Sequence, residues 1–312
     1  MKIKNGTVWR DTQGNTLHAH GGCIIKYKDV YYWYGENRLD NIYVSCYSSK
    51  DLVNWTFCNH VLTADSKTEE IRVRADLRLR NEEGGKVNIE RPKVLYHKES
   101  GKFVMWMHYE NGKDYCCAAA AVATCDTPTG DFVYHGSFNP YGYMSRDCTL
   151  FEDDDRAYFL SSSRNNADMH MYLLQDDLMN IERLIAAFWQ GEYREAPALV
   201  KKDGMYYLLS SFCTGWAPNQ AKYAKTDCLE KGFGRMTEIG DETTYHSQPA
   251  FILKLEGRET VSYIYVGDRW NGENYYDSRY VWYPLIFHEN GNAELVECEE
   301  LDIDVETGKI RY

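Results

Sequence analysis

The sequence predicts an all-β fold, a five-bladed β-propeller. Three observations lead there. One hairpin pattern recurs five times, sustained helical periodicity is nearly absent, and the repeats start about 50 to 70 residues apart, room for a four-stranded antiparallel blade with its loops. A β-sandwich would not explain five copies of one hairpin.

Each repeat opens on a polar residue, followed by a short apolar strand, a turn, and a strand rich in Tyr, Phe, Trp and Leu. The five read HGGCIIKYKDVYYWYGE (20–36), ERPKVLYHKESGKFVMWMHYE (90–110), DCTLFEDDDRAYFLSSS (147–163), EAPALVKKDGMYYLLSS (195–211) and SQPAFILKLEGRETVSYIYVGD (247–268). Turn residues stand where hairpins need them: Lys28-Asp29, Glu99-Ser100-Gly101, Asp153-Asp154-Asp155, Lys202-Asp203-Gly204 and Glu256-Gly257. Further strands follow the hairpins, as at 42–47, 116–123 or 169–174, and fourth strands, as at 55–57 or 132–134. The first 16 residues and the tail after Val296 are expected to complete a blade, making residues 1–312 one domain.

Composition narrows the function. The chain has 312 residues, 44% of them hydrophobic, which suffices for a full core. Charge is 35 basic against 47 acidic residues, a net −12 with no basic block. A polyanion would be repelled, so neither nucleic acid nor an anionic membrane is an expected partner. No stretch approaches the length of a membrane span, and the polar opening MKIKNG is not a signal peptide, so a cytoplasmic location is expected. Ten cysteines form no CxxC pair and read as reduced, mostly buried thiols. The aromatic content, 14% with 26 Tyr and 8 Trp, suits both sugar stacking and an aromatic β-core, so it does not choose between them.

The innermost strand of each blade runs along the central channel, so the first residue of each repeat recurs at one rim. Those residues are His20, Glu90, Asp147, Glu195 and, with a slip of one because Ser247 stands two before the proline, Gln248. Three carboxylates and an amide then converge from distant parts of the chain. Carboxylates held close raise one another's pKa and keep one of them protonated, which is the equipment of glycoside hydrolysis. Arg91, Arg146 and Arg194 neighbour these positions. Strand alternation turns each away from the rim, so they are expected to buttress loops.

At these residues the chain resembles glycoside hydrolase family 43, five-bladed propellers that act on plant polysaccharides with inversion. The segments 19–36, SSKDLVNWTF (48–57), ERPKVLY, SRDCTLF (145–151), REAPALV (194–200), CTGWAPNQ (213–220), SQPAFI and GDRW…SRYVWYPL (267–285) carry the resemblance across nearly the whole chain. Most of the family has an Asp base just before the first hairpin. Here that position reads His18-Ala19-His20-Gly21-Gly22. In this the chain is similar to the exo-β-1,3-galactanase subfamily, in which a glutamine of the last blade is thought to replace the base.

The resemblance implies roles for the rim. Glu195 matches the general acid, and Gln248 the group that orients the attacking water. Asp147 tunes the acid, and Glu90 holds sugar hydroxyls. In an inverting site the acid and the water-orienting group are expected to stand roughly 6.5–9.5 Å apart. Glu36 resembles a residue near the non-reducing sugar. Candidate subsite walls are His20, Tyr115, Thr214, Trp216 and Asn219 on one side, and Asp268, Arg269, Tyr280 and Trp282 on the other. Trp106, Tyr32, Trp33, Tyr158 and Tyr207 are expected in the core.

No zinc pattern, GxGxxG or P-loop is present, so no cofactor is expected. Some propellers of this family hold an axial calcium, which His20 or His246 would line here. The activity implied is the release of galactose from β-1,3-linked galacto-oligosaccharides derived from arabinogalactan. The rivals are a β-xylosidase or α-L-arabinofuranosidase of the same family, and a carbohydrate-binding propeller without catalysis. Oligomeric state is not readable from the sequence.

Overall fold

The computed structural model describes residues 2–312, and almost every regular element in it is a strand. Strand β1 (Lys2–Lys4) comes first. The first four-stranded sheet follows: β2 (His20–Tyr27), β3 (Val30–Glu36), β4 (Ile42–Ser49) and β5 (Thr56–Thr63). The second is β6 (Asn88–His97), β7 (Lys102–Glu110), β8 (Ala119–Cys125) and β9 (Val133–Phe138). The third is β10 (Cys148–Asp153), β11 (Arg156–Ser163), β12 (Asp168–Leu174) and β13 (Ile181–Phe188). The fourth is β14 (Arg194–Lys202), β15 (Met205–Phe212), β16 (Ala221–Thr226) and β17 (Thr237–Ile239). The fifth is β18 (Gln248–Glu256), β19 (Val261–Arg269), β20 (Arg279–Phe287) and β21 (Ala293–Leu295). Strands β22 (Glu300–Asp304) and β23 (Lys309–Arg311) complete the chain, and with β1 they make a sixth sheet in the order β1-β22-β23.

The expected five blades are therefore corrected: the propeller has six sheets. The termini do not complete a four-stranded blade but pair with each other, Lys2 opposite Asp302 and Ile3 opposite Leu301. Alternation at Leu301 and Ile303 marks a strand with one buried face, yet it does not say which strand is the neighbour. The outer edge of β20 is already taken by β21, with Leu285 opposite Leu295. The buried face of the sixth sheet (Ile3, Leu301, Ile303) joins a core with Trp33, Trp55 and Trp282 of the first and fifth sheets. Its hairpin also receives Arg258 N–H from the β18–β19 turn on Glu306 O at 2.8 Å. The seam between the first and last four-stranded sheets is closed this way.

Inner strands β2, β6, β10, β14 and β18 pack on one another in a closed cycle around the axis. Apolar cores fill the gaps between adjacent sheets, and Trp33, Trp106, Tyr158 and Tyr207 lie in them as expected, with Tyr32 packed at the edge of one. The openings of four inner strands depart from regular pairing, between His20 and Cys23, Glu90 and Lys93, Glu195 and Ala198, and Pro249 and Phe251. In three of these the second residue is left-handed: Gly21 at φ +59°, Arg91 at +53° and Ala196 at +54°. A bulge of this kind breaks the alternation of side chains and re-aims those at the strand's mouth.

Candidate active site

The bulges aim the rim. Glu36, Glu90, Asp147, Glu195 and Gln248 line one cavity of about 330 Å³ with Tyr115 and Trp216, so these predicted residues are brought together. Three of the four bulges also turn a backbone N–H toward a carboxylate of the preceding sheet. Gly21 N donates to Asp268 Oδ2 at 2.9 Å, Arg91 N to Glu36 Oε1 at 3.0 Å, and Ala196 N to Asp147 Oδ2 at 3.1 Å. Three anions are thus pinned by the turn that opens the next sheet. Beneath them the buried ammonium of Lys93 donates to Gly21 O at 2.6 Å, holding the first bulge from below.

Arg91 departs from expectation. Its left-handed backbone turns the side chain into the site instead of behind it. Its guanidinium is buried, 2.9 Å from Asp147 Oδ2, and also donates to Gln248 Oε1 and Pro249 O. Arg194 braces the neighbouring strand β15 rather than a loop, bound to Ser210. Arg146 reaches across loops to Tyr115 O at 2.8 Å and also borders the cavity.

Glu195 and Gln248 are in direct contact. Gln248 Nε2 donates to Glu195 Oε1 at 2.8 Å and to Ser211 Oγ at 2.9 Å, while its oxygen accepts from Arg91 and from Trp270 Nε1 at 2.7 Å. The expected gap of an inverting pair is not present between these two groups. Asn166 Nδ2 donates to the other oxygen of Glu195 at 3.2 Å. Burial, and then the charge of Asp147, push the Glu195 carboxyl up to about 7, against the opposing pulls of Cys213, Arg91 and Gln248.

Glu90 goes the other way. Burial works to raise it, but His108, Arg38 and Tyr115 reverse that and hold it at about 2. Tyr115 OH donates to Glu90 Oε1 at 2.7 Å, and Arg38 Nη2 reaches the same oxygen at 3.0 Å. Arg38 spans Glu90 and Glu36, 3.0 Å from each, and lies over the Tyr275 ring at 4.5 Å. Burial raises the Glu36 carboxyl, with Arg38 opposing. The site therefore holds carboxyls of opposite disposition, Glu195 ready to carry a proton and Glu90 kept anionic. Trp216, Trp270 and Tyr275 form a connected aromatic group beside them, with Trp270 and Tyr275 stacked at 5.8 Å.

Other predicted wall residues lie elsewhere. Tyr280 and Trp282 are buried in the core at the seam, where Trp282 packs against Trp9, Trp33 and Trp55. His20 sits behind the wall, Nδ1 2.8 Å from Asp268 Oδ1 and its ring stacked on Tyr280 at 4.5 Å. Thr214 and Asn219 brace the loop between β15 and β16: Asn219 clamps Phe212 through both backbone groups and bonds Thr214 Oγ1. Asp268, Arg269 and Asn219 border a neighbouring hollow of about 220 Å³, divided from the main cavity by Trp216, Trp270 and Gln248. His246, the other residue expected at an axial ion, is exposed and lines that hollow too.

Sequence reasoning missed Arg38, His108, Asn166, Trp270 and Tyr275. His108 was findable: it stands opposite Glu90 in the β6–β7 hairpin, as Glu36 stands opposite His20 and Asp268 opposite Gln248. Among the described residues, Glu90, His108 and Asp147 bring one ligand-type atom each within 4.8 Å of one another. Such crowding of two carboxylates needs a positive charge. His108 lies between them, and Glu110 and Glu90 push its imidazole up to about 9 against the lowering effect of burial.

The sequence profile of Glycosyl hydrolases family 43 matches residues 18–230. The chain is 46% identical to an exo-β-1,3-galactanase from Clostridium thermocellum, covering 99% of this chain and 68% of that one with a TM-score of 0.91. It is 35% identical to an exo-β-1,3-galactanase from Phanerochaete chrysosporium solved with β-1,3-galactotriose, covering 99% and 70% with a TM-score of 0.86. A curated xylan 1,3-β-xylosidase from a Vibrio species is 26% identical over 215 residues, and the chain spans 36% of its length.

Proposed function

The chain belongs to glycosyl hydrolases family 43, and from that premise we propose that it is an exo-acting, inverting glycoside hydrolase releasing galactose from β-1,3-linked galacto-oligosaccharides. The observation that carries the chemistry is the pairing of a protonatable carboxyl with anionic ones. Glu195 is raised to about 7 by burial and Asp147, in the same cavity where Glu90 is held at about 2. A carboxyl with that pKa is poised to protonate a leaving glycosidic oxygen near neutral pH. The anions of Asp147 and Glu90 face the positive charge that develops on the sugar ring. The galactanase neighbours support galactose as the sugar.

Gln248 is the group we assign to the attacking water. All four hydrogen-bond positions of its amide are filled, by Arg91, Trp270, Ser211 and Glu195. It takes on a water only by releasing one partner. A sugar seated between Glu195 and Gln248 opens the bond between them; as the imidic-acid tautomer, the freed nitrogen accepts the proton that the attacking water gives up, and the tautomer's O–H proton passes to solvent and restores the amide. Arg91 and Trp270 then keep the amide from rotating. Exo action is supported by the exo-β-1,3-galactanase neighbours.

The test is turnover of β-1,3-galactobiose against xylobiose and aryl α-L-arabinofuranoside. Galactobiose is expected to be cleaved by the wild type and not by Glu195→Ala. Xyloside turned over faster than galactoside moves the substrate toward the Vibrio relative's sugar. Sugar binding without turnover, unchanged in Glu195→Ala, identifies a binding module instead.

A further inference from the structure

A histidine lies at the floor of the carboxylate cluster, and the proposed chemistry does not touch it. His108 is buried on β7, between two acids of its own sheet. Its Nε2 is 2.9 Å from Glu110 Oε1, and the Nδ1 is 3.3 Å from Glu90 Oε2 and 4.0 Å from Asp147 Oδ1. The Nε2 contact is a well-formed hydrogen bond. Nδ1 closes no aligned hydrogen bond with either carboxylate and points between them. Glu110 is itself fixed: its second oxygen accepts Ala118 N–H at 2.9 Å, and Arg146 Nε stands 3.9 Å from the first. The result is a chain of alternating sign, Glu110, His108, then Glu90 and Asp147 together.

We propose that His108 is a positioning residue: clamped by Glu110, its imidazolium bridges Glu90 and Asp147 and lets both stand beside the sugar as anions. The proposal rests on the reading of Glu90 and Asp147 given above. Two carboxylates this close repel, and one of them takes up a proton unless a cation stands between them. Arg38 and Tyr115 hold Glu90 from its far side, and Arg91 holds Asp147 from its own. His108 is the group that faces both. Neutral His108 offers one N–H where two anions need charge, and Glu110 is what keeps the second proton on the ring. A glutamine in place of Glu110 would leave the hydrogen bond and remove the clamp.

Two readouts separate this role from packing. NMR of ring-labelled histidine in the whole protein is expected to show His108 as an imidazolium through pH 7, titrating near its value of about 9, with the midpoint at least about one unit lower in Glu110→Gln. This arm needs no turnover, so it stands even if the assigned substrate is wrong. In the second arm, kcat/KM on β-1,3-galactobiose is followed against pH for wild type, His108→Gln and Glu110→Gln. His108→Gln is expected to gain an acid limb between about pH 4 and 6, falling tenfold per unit below it as Glu90 takes up one proton. The rise in KM is expected to exceed the loss in kcat. If His108→Gln fails to fold, Glu110→Gln and the NMR titration carry the test alone. A neutral His108 ring at pH 7, or folded variants with wild-type pH profiles, overturns the proposal.

Discussion

The amide nitrogen of Gln248 lies 2.8 Å from Glu195 Oε1. The two side chains expected to stand on opposite faces of a sugar therefore meet. An N–H donated to a carboxylate favours its ionised form, so this contact opposes the burial and the Asp147 charge that raise Glu195. Seating a sugar between the two removes that opposition and leaves Glu195 a better-protonated acid where a proton is needed.

Replacing Gln248 by Glu places a second carboxyl against Glu195. A like charge raises a neighbour's pKa, and the pair then shares a proton. The basic limb of kcat/KM, set by Glu195 losing its proton near 7, is expected to move up by at least about one unit. Gln248→Ala is expected to be slow on both natural and activated substrates with its basic limb displaced less. A pH–rate series on the three proteins checks both.

Glu195 also leaves a signature in stability. Its folded carboxyl titrates at about 7, above the ordinary 4.5. The stability it contributes is fully present below the unfolded value and is lost as pH rises through 7. Glu195→Gln, which cannot ionise, is expected to be more stable than wild type by about 3 kcal/mol at pH 8, with most of the gain gone by about pH 5. Thermal melts at the two pH values measure it.

Arg91 joins Asp147 to Gln248. Removing a buried partner leaves its counter-charge uncompensated, so Arg91→Met is expected to cost about 3 kcal/mol of stability and at least about a hundredfold in kcat/KM. Arg91 lowers the Glu195 pKa, so the residual activity is expected to extend to higher pH. Denaturant melts and a pH profile of the variant decide it.

Gly21 shares its left-handed backbone with Arg91 and Ala196, so backbone strain alone does not demand glycine there. Space does: a Cβ on Gly21 would lie 2.5 Å from Glu36 Oε1 and 3.3 Å from Arg91 Cδ. Gly21→Ala is expected to displace Glu36, raising KM by about tenfold with a smaller effect on kcat. Steady-state kinetics on galactobiose tests this.

How much of this was legible follows from particular residues. His20, Glu90, Asp147, Glu195 and Gln248 recur because each lies within two residues of the start of an inner strand, and a repeated hairpin exposes that recurrence to inspection. The inward turn of Arg91 was hidden, because a bulge cancels the alternation used to place it. His108 was legible only through its pairing with Glu90. Tyr280 and Trp282 looked like sugar platforms but are core, since an aromatic in a strand carries no mark of which face is wet. The sixth sheet was missed for a similar reason. Three residues at Lys2–Lys4 and a short terminal hairpin show strand character without naming a partner.

The central claim is tested most directly by the anomer first released from β-1,3-galactotriose, followed by proton NMR before mutarotation. An inverting exo-enzyme with Glu195 as acid is expected to release α-galactose first, one residue at a time, with no release by Glu195→Ala. β-Galactose appearing first, or cleavage within the chain, would contradict the account.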